Sequence, residues 1–130
     1  MKTYDKQIKL IIEKTETGFS AYAEEHPVFT TGRTVPELIN NAYEATRLYF
    51  EDQFEITRDQ IKFEIDFAQF FRYFKVLNAK FLAERIGMNP TLLSQYVQGR
   101  KKPSPQQTEK ILAGIHQIGQ ELSEMNLIIK

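Results

Sequence analysis

Ile8, Leu10 and Ile12 alternate with Lys9 and Glu13, the two-residue period of a half-buried strand. Thr17-Gly18 signals a turn, and Phe19 to Ala23 continues as a second strand, so the two predict a hairpin. Pro27 interrupts pairing, and Val28 to Thr31 supplies a short third strand. Thr34-Val-Pro-Glu37 is a capping box, in which hydroxyl and carboxylate satisfy opening amides reciprocally. The helix it opens sets Val35, Leu38, Ile39, Ala42, Ala45 and Tyr49 on one face. Ile61, Phe63, Ile65 and Phe67 alternate with Lys62, Glu64 and Asp66 as a fourth strand. From Phe67 onward the period changes to that of helices. Phe67, Phe70, Phe71 and Phe74 fall at i, i+3, i+4 and i+7, a spacing of core rather than of base stacking. That stripe predicts the first helix of a second, all-helical domain. The pattern as a whole is α+β: a β-β-β-α-β module over 1–66, then helices over 67–130.

The stretch Phe81 to Pro103 reads as two short helices joined by a tight turn. Gly87 stops the first, because a residue without Cβ accepts a left-handed turn. Asn89 caps the second and Pro90 presets its first turn. Leu92, Leu93, Tyr96 and Val97 make its apolar face, and Thr91, Ser94, Gln95 and Gln98 its polar one. Gly99 ends it, and Arg100, Lys101 and Lys102 precede Pro103. A short helix with an amide and hydroxyl face and cations at its exit has the chemistry of a major-groove reader with phosphate clamps. The alternative is a helical hairpin that only packs. Ser104-Pro105-Gln106-Gln107 then caps a last helix, weakened by Gly114 and Gly119. Its row Ile111, Ile115, Ile118, Leu122 and Met125 is a heptad-like seam, followed by the apolar tail Leu127-Ile128-Ile129. Dimerisation would cover both, and so would packing back onto the domain.

Charge sharpens the division. The 130 residues sum to zero, but 1–66 hold 8 Lys+Arg against 13 Asp+Glu, and 67–130 hold 9 against 4. An acidic half and a basic half imply different partners. The absence of cysteine excludes disulfides and thiolate metal sites and fits a cytoplasmic protein. Met1 to Ile12 alternates charged and apolar residues, unlike a secretion signal, and no apolar run is long enough for a membrane span. Neither catalytic nor metal-binding spacing is visible, and no cofactor is implied. Glu24-Glu25-His26 places neighbours on opposite faces of a strand, and His116 sits at the edge of an apolar helical face. An enzyme is not expected.

Ala83, Gly87, Leu93 and Tyr96, with Ser94-Gln95-Tyr96 followed by Gly99 and Pro103, resemble the helix-turn-helix of the lambda-repressor-like (Xre-type) family. Ala79 departs from it, standing where many members carry a phosphate-contacting glutamine. Gly18-Phe-Ser-Ala-Tyr-Ala-Glu24, Pro27 and Thr31-Gly-Arg-Thr34, with Glu37-Leu38, Asn41-Ala42, Glu44-Ala45 and Leu48-Tyr49, resemble the HicB antitoxin family. Here Pro27-Val28-Phe29 replaces that family's common Pro-Gly-Cys loop. The resemblance implies a truncated RNase-H-like module over 1–66 that binds a HicA-like mRNA-cleaving toxin. It also implies a helix-turn-helix domain over 67–130 that represses its own operon. Operator contacts are then expected from Asn89, Pro90, Thr91, Ser94, Gln95, Gln98, Arg100, Lys101 and Lys102. The operator would be an inverted repeat read by a homodimer or higher oligomer. Toxin contacts are expected among Glu24, Glu25, Glu44, Glu51 and Asp52. The other readings are a one-component regulator that senses a small molecule or protein, and a nuclease tethered to DNA.

Overall fold

A computed structural model describes residues 2–128, and the chain divides into two compact units between Tyr73 and Phe74. The fold is α+β. In the first unit the strands are β1 (Lys2–Thr3), β2 (Ile8–Lys14), β3 (Phe19–Ala23) and β4 (Phe29–Gly32). Then come α1 (Val35–Phe50), β5 (Phe54–Glu55), a 3-10 turn (Arg58–Gln60), β6 (Ile61–Ile65) and α2 (Phe67–Tyr73). The main sheet has the order β4-β3-β2-β6, with β6 parallel to β2 and the other pairs antiparallel. The predicted hairpin, short third strand and fourth strand are all present. β1 and β5 form a further small parallel pair, too short to leave a periodic signal in the sequence.

The core lies on the α1 side of the sheet, where Ile8, Leu10, Ala21 and Ala23 meet Leu38, Ala42 and Phe50. Gly18 is required by close approach rather than by backbone angle, since a Cβ there would stand 2.2 Å from Gly32 O. The α1 face differs from the predicted one. Leu38, Ala42, Thr46 and Phe50 are its buried residues, and Val35, Ile39 and Tyr49 are exposed. Thr46 disguised the stripe: its hydroxyl donates to Ala42 O at 2.8 Å, so a residue that reads as polar is fully buried at little cost. Phe50 extends that row by one turn into an aromatic group with Tyr4, His26 and Phe54.

The phenylalanine stripe requires a larger correction. Phe67 and Phe71 are buried, as expected of core, but α2 belongs to the first unit and packs against β2. Gln69 holds it there. Its side chain accepts from Lys14 N at 2.9 Å and donates to Lys14 O at 2.8 Å, prolonging the sheet's bonding beyond β6. The boundary therefore falls after Tyr73 instead of after residue 66. Arg72 crosses with it, leaving 9 Lys+Arg against 13 Asp+Glu up to residue 73, and 8 against 4 beyond.

The second unit is helical: α3 (Ala79–Ile86), α4 (Pro90–Val97) and α5 (Pro105–Ser123), then a 3-10 turn at Glu124–Leu127. Leu82, Ala83, Met88, Leu93, Tyr96 and Ile111 form its interior. Gly114 permits α5 to lie close to α3, because a Cβ there would stand 2.3 Å from Ile86 Cγ2. Gly119 faces open space. Of the apolar tail, the Leu127 side chain and Ile129 lie outside the described residues. Among the described residues no helix is long and apolar enough to cross a membrane.

Candidate functional site

The α3–α4 connection is fixed at each step by a local rule. Asn78 caps α3 by accepting from Phe81 N at 3.1 Å. Gly87 turns left-handed at φ 70°, and the Met88 amide reaches back to Ala83 O at 2.9 Å. Met88, 6% exposed, then plugs the interior beneath the turn. Asn89 Oδ1 accepts from Thr91 N at 2.8 Å and Leu92 N at 3.4 Å, and Pro90 opens α4. Leu93 and Tyr96 are buried, which fixes the rotation of α4 about its axis. Asn89, Pro90, Thr91 and Gln98 are consequently exposed, with Ser94 and Gln95 half-buried among them.

The basic exit is held against this helix. Gly99 has φ 76°, and the amides of Arg100 and Lys101 both donate to Gln95 O, at 2.9 and 3.3 Å. Arg100, Lys101 and Lys102 are exposed. Gln98 Nε2 donates to Ser94 Oγ at 3.3 Å, so these two side chains share one face. All nine expected residues thus fall on a single continuous segment. One cation escaped the sequence reading: Lys110 Nζ donates to Gly87 O at 3.4 Å, placing an ammonium at the turn before α4. Only its position next to the buried Ile111 could have hinted at an inward reach, and that is a weak signal.

The five expected acids all lie on the first unit. Glu24 and Glu25 follow β3, and Glu51 and Asp52 follow α1. His26 packs on Tyr49 and Phe50, with ring centroids at 5.7 and 4.9 Å, so the two acidic pairs sit near one end of α1. Glu44 lies seven residues earlier, roughly 10 Å along the helix, paired with Arg47 at 2.9 Å. It shares a shallow groove of about 710 Å³ with Glu51, Leu48, Phe54 and Glu55. Two further acids were not singled out by the sequence. Tyr22 and Phe29 are cross-strand partners on the sheet face opposite the core. Burial, helped by Glu13, Asp66 and Glu24, holds the Tyr22 phenol above its ordinary pKa. Glu13 and Asp66 therefore act on the Tyr22 phenol from the neighbouring strand and from the end of β6. Among the described residues, no three His, Asp or Glu side chains are grouped to hold a metal ion.

The segment from Asn89 to Lys102 can present amides, hydroxyls and cations to a polyanion, whereas the first unit presents carboxylates around apolar and aromatic surface. No family model matches the chain, and no curated protein or solved structure is detectably similar to it.

Proposed function

We propose that this chain is a two-part antitoxin of the HicB kind, with a helix-turn-helix of the lambda-repressor-like type in its second unit. That unit binds operator DNA as an inverted repeat shared by two copies, and the first unit neutralises a HicA-like mRNA-cleaving toxin. The chain itself catalyses nothing and acts in the cytoplasm. The observation that carries this reading is the α3–α4 pair. Its left-handed Gly87 turn, capped second helix, polar face and tethered basic exit follow one another in a single continuous segment. In that arrangement Thr91, Ser94 and Gln95 reach base edges, and Arg100, Lys101 and Lys102 neutralise phosphates.

The toxin half is supported by charge. A ribonuclease must present cationic surface to its substrate, and a unit with an excess of four acids meets such a surface and repels RNA. Glu24, Glu25, Glu44, Glu51 and Asp52 are its rim. The test is a growth-rescue assay with the small reading frame beside this gene, scored together with copurification. The intact chain is expected to copurify with that product and restore growth; a second unit bearing the tethered basic exit alone is not. Operator binding without any rescue would leave a one-component regulator as the better account.

A further inference from the structure

Between Arg85 and Arg100 the chain carries no charged residue, and that stretch includes the Gly87 turn and the whole of α4. Arg85 itself is tied to Glu121. The three cations assigned to phosphates all follow the C-terminal end of α4, and its own segment offers none at the other end. A cation stands there nonetheless, supplied from α5. Lys110 Nζ donates to Gly87 O at 3.4 Å. Gly87 lies two residues before Asn89, within about 7–8 Å along the chain, so the ammonium is near the start of α4. Packing sets its approach: Ile111, the next residue, is fully buried, and Gly114, one turn on, lies against Ile86. Lys110 is exposed, and among the described residues it pairs with no carboxylate. One of the three ammonium donors is used, which leaves two for another acceptor.

We propose that Lys110 is a further phosphate contact, made at the opposite end of α4 from Arg100, Lys101 and Lys102. The inference rests on the reading above, in which α4 enters the major groove of an operator. With eight residues α4 is about 12 Å long, which is also about the width of that groove. A phosphate strand bounds the groove on each side. Cations at only one end of such a helix grip one strand and leave the helix free to pivot about it. A cation at each end holds both strands, and with them the orientation in which Thr91, Ser94 and Gln95 meet base edges. An ammonium suits this place, because it acts on a phosphate as a point charge on a flexible stem and needs no fixed fork geometry. Lys110 thus adds affinity for every duplex and reads no base itself.

Lys110→Gln keeps an amide donor for Gly87 O but removes the charge, so it separates a phosphate contact from a staple that merely steadies the turn. The full-length parent, Lys110→Gln and Lys110→Arg are titrated with two unrelated duplexes over a range of salt. Lys110→Gln should weaken binding to both duplexes alike and lower the salt slope by about one, with its urea midpoint close to the parent's. Lys110→Arg should keep the parent's slope. Combined with Lys101→Gln, the loss of slope should reach about two, since separate phosphates are involved. Ethylation interference is then run on a duplex enriched by the parent from a random pool. The phosphate lost in Lys110→Gln should lie on the strand opposite the one lost in Lys101→Gln. An unchanged slope in Lys110→Gln, or loss of a phosphate on the same strand as in Lys101→Gln, overturns the proposal. A lowered urea midpoint with an unchanged slope would make Lys110 a staple of the turn and leave the operator reading intact. A parent that binds no duplex would defeat the operator reading and this contact with it.

Discussion

Single residues divide into those whose role is local and those whose role depends on a neighbour. Gly87 and Asn89 are of the first kind: a turn and a cap are properties of a few consecutive residues, and both were legible in the sequence. Replacing Asn89 with Ala should cost about 1 kcal/mol through loss of two capped amides, read by urea denaturation. Gly114 is of the second kind. In the sequence it looks like Gly119, a weak point in a helix, but Ile86 lies against it and nothing lies against Gly119. Gly114→Ala should therefore destabilise by about 1–3 kcal/mol through overpacking, and Gly119→Ala should stabilise by about 0.5–1 kcal/mol. Equal effects of the two would contradict the α3–α5 packing. Tyr22 gives a pH test. Its folded pKa is raised, so the stability it contributes is complete below the ordinary tyrosine value of about 10 and is lost as pH climbs towards the raised value. The parent should lose stability relative to Tyr22→Phe in that alkaline window. A difference spectrum showing that this phenol ionises at or below the ordinary value would contradict its burial beside Glu13, Asp66 and Glu24.

At the scale of elements, periodicity revealed which face of a segment is buried, but not what buries it. Of the stripe Phe67, Phe70, Phe71 and Phe74, read as core, Phe67 and Phe71 are buried and the other two half-buried, yet α2 was assigned to the wrong unit. The bonds that decide its place run from Gln69 to the main chain of Lys14, 55 residues away. In α1 the error had a different origin, because Thr46 hides its burial behind a hydrogen bond within its own helix. α4 was read correctly, since Leu93 and Tyr96 fix its rotation and its cap and exit are sequence-local. It is also where the functional predictions concentrate. Gln95→Ala should cost about 1–3 kcal/mol in operator binding and relax preference at one base pair. Neutralising Lys101 to Gln should weaken binding to all duplexes alike and lower the salt slope by about one. An unchanged slope in a salt titration would reduce the basic exit to a solvated charge run.

For the whole molecule, the sequence disclosed two halves of opposite charge, and the shift of the boundary from residue 66 to 73 changes the balance by one residue without altering its sign. What it did not disclose was the Lys110 ammonium at the α3–α4 turn, which is brought to Gly87 from 23 residues along the chain and has no sequence motif. Lys110 and the basic exit serve the account only if the Asn89–Lys102 segment reads duplex sequence. The most direct measurement is selection of bound duplexes from a random-sequence DNA pool by the full-length protein. Alongside it runs a Ser94→Ala/Gln95→Ala variant of unchanged circular dichroism. The account expects the parent to enrich an inverted repeat with half-sites about 34–36 Å apart, or a multiple of that, and the variant to lose the preference within each half-site. A parent that enriches no sequence, or a variant that enriches the same one as strongly, would contradict it.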